Sequence, residues 1–211
     1  MKKIIVASAI FCSGIIANAQ NFNGSIEFTN ANTKDTTKNV YYVKDKIVKL
    51  DNYDKKNGGI SGSFIFDFNT NVIRWVNPKR KVWGTSKSET PPIILGTCEV
   101  TKGTTKKIQN INCTEYVVKN KEENTIITYW ITTEKFTFFA QMIKLWNRKD
   151  KQSIYYAKIE GLPEGSMPLL SEEKHINDAK IISKLEVTKI NKTVPDDANL
   201  QVPAGYNKFD Q

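Results

Sequence analysis

FIFDFNTNVIRWVNPKRKVW, residues 64–83, is the stretch of this 211-residue chain that best indicates its fold. Three phenylalanines stand two positions apart, at Phe64, Phe66 and Phe68. Because successive side chains of a strand point to opposite faces of a sheet, the three rings share one face. The polar residues 69–71 predict a turn, and a second strand follows it. The pattern therefore predicts an antiparallel hairpin with one face buried from solvent.

Short strands and turns of this kind are predicted through most of the chain. Residues 24–29 indicate an opening strand, and 40–53 a tight hairpin or one long bent strand. Between 97 and 131 several short strands follow one another, with Lys102-Gly103 and residues 121–124 as the predicted turns. Strands joined by short connections usually pair in space. This part of the sequence therefore predicts an antiparallel meander.

One segment, TEKFTFFAQMIKLWNRKD at 133–150, has the periodicity of a helix. Its polar residues recur at spacings of three and four, and the apolar residues fill a wide remaining arc. Thr133 is the predicted N-cap. Beyond this helix, glycines and prolines in 154–170 indicate short extended pieces, and 179–190 indicates another long strand. The sequence thus predicts a mainly β (α+β) fold with one main helix lying against a sheet.

The first residues, MKKIIVASAIFCSGIIANAQ, have the form of a secretory signal peptide. Two lysines precede a short apolar run, and a small-x-small motif ends at Ala19, which predicts a mature chain beginning at Gln20. Bulky Phe11 before Cys12 argues against lipidation at that cysteine. We expect residues 1–19 to be removed and 20–211 to form a single domain that is exported to the periplasm or beyond the cell. No later apolar run has the roughly 20 residues of a transmembrane helix.

Cys98 and Cys113 remain after the predicted cleavage, and an even pair in an exported chain predicts a disulfide. A hairpin turn at Lys102-Gly103 would place Cys98 opposite a residue near 107, so Cys113 would have to return beside Cys98 by another route. The alternative is a pair of buried, inert thiols. A zinc site is not expected, because His175 is the only histidine that could join them.

Motifs for enzymatic chemistry are missing from the sequence. It contains no GxSxG, GxGxxG or GxxxxGK motif, and its single histidine, His175, is predicted to be an exposed loop residue. Asp67 and Glu115 alternate with apolar residues, which is typical of the solvated face of a strand.

The net charge of +9 comes from scattered lysines, which indicates a solvated surface, and export argues against nucleic acid as a partner. We predict no enzyme activity, no catalytic residues, no metal and no cofactor.

Several runs, taken in order, resemble a known family. They are YYVKDKIVKL, FIFDFNTNVIRWVNP, KIQNINCTEYVV, YWITTE, the MPLL that follows GLPEG, LEVTKI and LQVPAGYNKF. This order resembles a family of exported Gram-negative bacterial proteins defined as a domain of unknown function, which is similar in turn to the LolA/LolB lipoprotein-carrier architecture. The resemblance implies a strongly curved antiparallel sheet, a half-open barrel wrapped around helical material, with room for a hydrophobic cavity between them. One strong helix is predicted here instead of several.

The aromatic residues can serve as core, as the wall of a ligand cavity, or as both. Our leading hypothesis is an exported, non-enzymatic binding protein that holds a hydrophobic or amphiphilic, lipid-like ligand between sheet and helix. The alternative is a structural or interaction protein of the cell envelope, with an envelope protein as partner and a fully packed interior. A cavity of at least roughly 300 Å³ beside the helix would distinguish them. The predicted ligand-binding residues are Phe64, Phe66, Phe68, Phe138, Phe139, Met142 and Trp146.

Overall fold

The computed structural model describes residues 21–87, 90, 93–178 and 180–209. The predicted signal peptide and its cleavage site lie outside these residues. The described part contains twelve strands: β1 (Gly24–Asn32), β2 (Thr36–Lys44), β3 (Ile47–Tyr53), β4 (Ile60–Asp67), β5 (Val72–Asn77), β6 (Val82–Ser86), β7 (Glu99–Ile108), β8 (Ile111–Asn120), β9 (Thr125–Thr132), β10 (Met167–His175), β11 (Ile181–Asn191) and β12 (Asn207–Lys208). Its helices are α1 (Thr137–Trp146), α2 (Lys151–Tyr156) and a 3₁₀ turn (Asp197–Leu200).

All twelve strands belong to one sheet, in the order β12-β6-β5-β4-β3-β2-β1-β11-β10-β9-β8-β7. Strands β1 to β6 form one antiparallel meander and β7 to β11 form another, and the two join where β1 pairs with β11. Both helices occupy the connection between β9 and β10. The sheet is curved and does not close, since β12 and β7 are its two edges. The structure confirms the predicted fold class, a strongly curved antiparallel sheet packed on one main helix.

The phenylalanine row lies where the alternation predicts. Phe64 and Phe66 on β4 pack their rings against Trp146 of α1, with centroid distances of 4.9 and 5.0 Å. Phe66 is fully buried, and Phe68 packs against the same core from the end of the strand. We call this face of the sheet, which packs against α1, the inner face. Asn71 takes a positive φ of 54° in the turn between β4 and β5.

Helix α1 begins later than its sequence pattern predicts. Phe136 occupies the N-cap position without a side-chain capping bond, so the prediction of Thr133 as N-cap is wrong. Phe136 is itself buried, and its amide donates to the carbonyl of Gly165 in the loop that follows α2. Packing of this buried ring therefore outweighs a polar cap in fixing where the helix starts. The helix ends with Asn147 in the left-handed conformation, at φ 51°.

The second helix, α2, is a correction to the sequence analysis, which predicted extended structure there. Asp150 is its N-cap, and the Asp150 carboxylate accepts from the Ser153 amide at 2.9 Å. The consecutive residues Ile154, Tyr155 and Tyr156 favour strands in isolation. Here Tyr155 and Tyr156 are both buried against the inner face, so tertiary packing overrides that preference.

The hairpin of β7 and β8 also differs from the prediction. Its turn is at Gln109 and Asn110, both with positive φ (50° and 61°), as a type I′ turn requires. The predicted turn at Lys102-Gly103 is wrong, because these residues lie within β7, where the register shifts between Lys102 and Thr105. A glycine inside a strand pattern often marks such a bulge.

This register explains why the predicted disulfide is not supported: both cysteines are free. Cys113 lies opposite Lys106, whereas the Cys98 sulfur lies 3.9 Å from the side-chain nitrogen of Asn120 at the far end of β8. The strand from Cys113 to Asn120 spans about 23 Å at about 3.3 Å per residue. A disulfide needs Cα atoms within about 7 Å. Cys113 is instead a buried thiol, and burial raises its pKa to about 11.

The C-terminal segment covers part of the opposite, outer face. Leu200 of the 3₁₀ turn is buried there, and Asp197 forms a 2.7 Å ion pair with Lys44. The segment ends as β12, which adds parallel to β6.

Also on the outer face, the buried Asp51 carboxylate accepts from Ser63 Oγ at 2.6 Å and lies 3.3 Å from Lys49 Nζ.

Candidate functional site

A cavity of about 730 Å³ lies between the inner face of the sheet and the two helices. It exceeds the roughly 300 Å³ at the lower end of ligand sites in proteins. Strands from both meanders contribute to it, as do α1, α2 and the link between them. Its apolar wall consists of Phe28, Tyr41, Leu50, Phe64, Tyr129, Phe139, Met142, Ile143, Trp146, Tyr156, Pro168 and Leu185.

Four of the seven predicted ligand-binding residues line this cavity. They are Phe64 from β4 and Phe139, Met142 and Trp146 from α1. The other three, Phe66, Phe68 and Phe138, belong to the packed core around it.

The position of each helix residue follows from the turn of the helix. Phe139, Met142 and Trp146 recur at spacings of three and four and therefore lie on one stripe of α1. Trp146 reaches the phenylalanine row of β4, whereas Phe139 meets Tyr156 of α2 edge to face at 5.2 Å. The stripe thus joins the two helices to the sheet and leaves open the space that forms the cavity.

Polar side chains line the cavity in two places: one group comes from β1, β2, β3 and β6, and comprises Asn30, Asn32, Thr37, Asn39, Asn52 and Ser86. The other is a wall formed where α2 crosses β10 and β11. Gln152 is at its centre: the side-chain carbonyl accepts from Ser171 Oγ, and the side-chain nitrogen donates to Ser183 Oγ at 2.6 Å. Ser183 Oγ in turn donates to the Glu173 carboxylate at 2.7 Å. The Gln152 backbone carbonyl accepts from the Tyr129 hydroxyl at 2.7 Å. We call Gln152, Ser171, Glu173 and Ser183 the polar wall.

Two cations border the cavity, and each already has an anionic partner. Arg148 Nε lies 3.3 Å from the Asp150 carboxylate, and its guanidinium lies 4.5 Å from the centre of the Trp146 ring. Lys151 Nζ lies 3.3 Å from the Glu123 carboxylate and donates to Thr125 Oγ1 at 2.6 Å.

The tyrosines of the cavity remain neutral at ordinary pH. Burial raises the pKa of Tyr41, Tyr129 and Tyr156 above the usual value of a phenol. The Tyr156 hydroxyl donates to the Ser166 carbonyl at 2.9 Å. The hydroxyls of Tyr129 and Tyr156 are therefore structural hydrogen-bond donors, and the ionised forms of all three tyrosines are disfavoured.

The described residues contain no group of three or more histidine, cysteine, aspartate or glutamate side chains that could hold a metal ion. His175 lies at the exposed end of β10, where Nδ1 is 3.2 Å from the Asn124 carbonyl. None of the helices in the described ranges has the length and apolar character required to cross a bilayer.

Sequence reasoning missed the polar wall altogether. Its members come from α2, β10 and β11, and only the fold brings them together. The available signal was local: Asp150 is one of the residue types preferred at a helix N-cap. A helix starting there places Gln152 on the same side as Tyr155 and Tyr156, which are three and four residues further on.

Comparison with solved structures supports the architecture. An uncharacterized conserved protein from Thermus thermophilus aligns with a TM-score of 0.52 and 8% identity, covering 89% of this chain and 90% of that one. MucB in the Pseudomonas aeruginosa MucA/MucB complex aligns with a TM-score of 0.51 and 8% identity, covering 84% of this chain and 54% of that one. This chain thus spans about half of that MucB chain. Identities this low show a shared fold and nothing more.

A LolA superfamily protein from Nitrosomonas europaea also aligns, with a TM-score of 0.35 and 8% identity over 87% of this chain and 91% of that one. This score is too low to carry an argument by itself. No protein-family model matches the sequence, and no curated protein matches it either.

Proposed function

We propose that the protein is an exported, non-enzymatic binding protein that holds a hydrophobic or amphiphilic ligand in the cavity between sheet and helix. The observation that carries this proposal is the cavity of about 730 Å³ beside α1, whose wall includes Phe64, Phe139, Met142 and Trp146. Burying an alkyl chain against such a wall contributes about 0.8 kcal/mol for each CH₂ group. The leader-like sequence at residues 1–19 supports a periplasmic or extracellular location.

The ligand class follows from the two walls. Aromatic and aliphatic side chains on the helix side favour an alkyl chain, whereas the polar wall offers hydrogen bonds to a head group. A purely apolar ligand would leave the polar wall without an outside partner, and a purely polar ligand would leave the aromatic side without one. An amphiphile uses both.

The second candidate is an interaction protein of the cell envelope. Its specific support is the similarity in fold to MucB, a protein solved in complex with MucA. A scaffold with a fully packed interior would have no cavity of ligand size, so the observed volume favours the binding protein.

The test uses a monoacylglycerol with bromine on its acyl chain, because bromine quenches tryptophan fluorescence at short range. Of the four tryptophans, Trp146 lines the cavity. We expect saturable quenching of the wild type and loss of most of it in Trp146→Phe. Trp130→Phe is the matched control, because Trp130 does not line the cavity and packs under Lys106 Nζ at 3.7 Å. Quenching that never saturates, or that persists in Trp146→Phe, would refute the proposal.

A further inference from the structure

The charged side chains that line the cavity differ in whether they have an ion-pair partner. Both cations that line it, Arg148 and Lys151, are committed to carboxylates within 3.3 Å. Glu173 also lines it, yet within the described part of the chain no lysine or arginine forms an ion pair with its carboxylate. Its carboxylate accepts a hydrogen bond from the Ser183 hydroxyl. Among the described residues of the cavity wall, the charge without an opposite partner is therefore negative.

The hydrogen-bonding capacity that remains in the polar wall is mainly that of an acceptor. The Ser171 hydroxyl already donates its hydrogen bond to Gln152, and the Ser183 hydroxyl donates its own to Glu173. A carboxylate has about four lone-pair sites, and the Ser183 hydroxyl uses one of them. A head group that meets this wall must therefore donate hydrogen bonds.

From these observations we infer that the ligand is an amphiphile whose head group is a hydrogen-bond donor, preferably an ammonium group, and that Glu173 is the residue that selects it. This inference rests on the proposed function and deepens it. The ammonium group would lie against the Glu173 carboxylate, and the alkyl chain would extend along the aromatic wall towards Trp146. A carboxylate head group would meet the charge of Glu173 instead and be disfavoured.

The sign of this preference is opposite to that of the whole protein, whose net charge is +9, or +7 once Lys2 and Lys3 are lost with the predicted signal peptide. Long-range attraction would favour anionic amphiphiles, and it is screened within about 8 Å at physiological ionic strength. A measured preference for ammonium must therefore arise locally. This makes head-group selectivity a direct readout of Glu173.

The chain offers a matched control. Glu172 is the neighbour of Glu173 on β10 and points to the other face of the sheet, where it lies 3.8 Å from Lys174 Nζ. Glu172→Gln and Glu173→Gln remove the same charge from adjacent positions. In Glu173→Gln the side-chain amide keeps an oxygen that can accept from Ser183, so the polar wall retains its internal hydrogen bonds.

The experiment measures binding of dodecylammonium, monododecanoylglycerol and dodecanoate to each variant, all below their micellar concentrations. We expect the wild type to bind dodecylammonium at least tenfold more tightly than dodecanoate. Glu173→Gln should reduce that ratio to about threefold or less, whereas Glu172→Gln should leave it unchanged. Ethanolamine, which has the amine without the chain, should not compete at equal concentration.

The outcomes separate the two claims. If the neutral glycerol ester binds saturably but the head groups are not distinguished, or if Glu172→Gln and Glu173→Gln act alike, the inference about Glu173 is wrong and the binding function stands. If none of the three probes binds, the proposed function fails and the inference falls with it.

Discussion

Two adjacent phenylalanines of α1, Phe138 and Phe139, provide the sharpest test of whether the space beside the helix is an open cavity or part of the packed core. Phe138 lies in the packed core, where its ring contacts those of Phe22, Tyr41, Phe136 and Phe139 at centroid distances of 5.8 to 6.4 Å. Phe139 contacts two rings and otherwise borders the cavity. Both side chains are buried, at 3% and 6% exposure, so burial alone predicts equal costs for truncation.

The expected costs differ because of what surrounds each ring. Phe138→Ala should destabilise the protein by about 3 to 5 kcal/mol, since the void it leaves costs about 24 cal/mol per Å³, or about 2.4 kcal/mol for about 100 Å³, beyond the lost transfer energy. Phe139→Ala merges its void with space that already exists. It also loses fewer ring contacts, each of which contributes about 0.5 to 1.5 kcal/mol. We expect Phe139→Ala to cost at least about 1 kcal/mol less than Phe138→Ala.

Urea unfolding of the two variants and the wild type measures the difference directly. Monoacylglycerol binding, followed in parallel, should change in Phe139→Ala and remain unchanged in Phe138→Ala where that variant is folded. Gln141→Ala, at a half-buried polar position of the same helix, is the control for both assays. Equal destabilisation by the two phenylalanine variants, with no effect of either on binding, would refute the assignment of Phe139 to a ligand wall.

Three further predictions concern stability and the cysteines. Thiol labelling under non-reducing, denaturing conditions should find Cys98 and Cys113 both free. In the folded protein Cys113 should react with the label far more slowly than in the denatured protein, because it is buried and its pKa is raised to about 11. A linked pair would contradict the β7–β8 register. Asp150→Ala should cost about 1 kcal/mol by removing the cap of α2, measured by urea unfolding. Asp51→Ala should cost about 3 kcal/mol or more, because it leaves Lys49 buried without its partner, and the double variant with Lys49→Met should recover part of that loss.

The sequence predicted the parts of the fold whose signals are local. Alternation at Phe64, Phe66 and Phe68 identified the inner face, and a helical period over 137–146 identified α1. Where local signals were mixed, the prediction failed. The Lys102-Gly103 pair predicts a turn but lies at a bulge within β7. The tyrosines of the six-residue α2 favour a strand, and tertiary packing overrides that preference.

The candidate site was predictable on its apolar side and not on its polar side. The helix stripe with Phe139, Met142 and Trp146 was visible because its spacing is a property of one segment. The polar wall depends on register between strands: Ser183 lies opposite Glu173 because of how β10 pairs with β11. Such a register is set by long-range pairing, which no short stretch of sequence specifies.

The central claim is that the space between sheet and helix holds a ligand, and native mass spectrometry of the protein purified from its own host tests it most directly. We predict a bound species of lipid-like mass that is released by organic extraction and is replaced when a monoacylglycerol is added back. A protein that carries nothing after gentle purification, and takes up no monoacylglycerol on titration, would contradict the account.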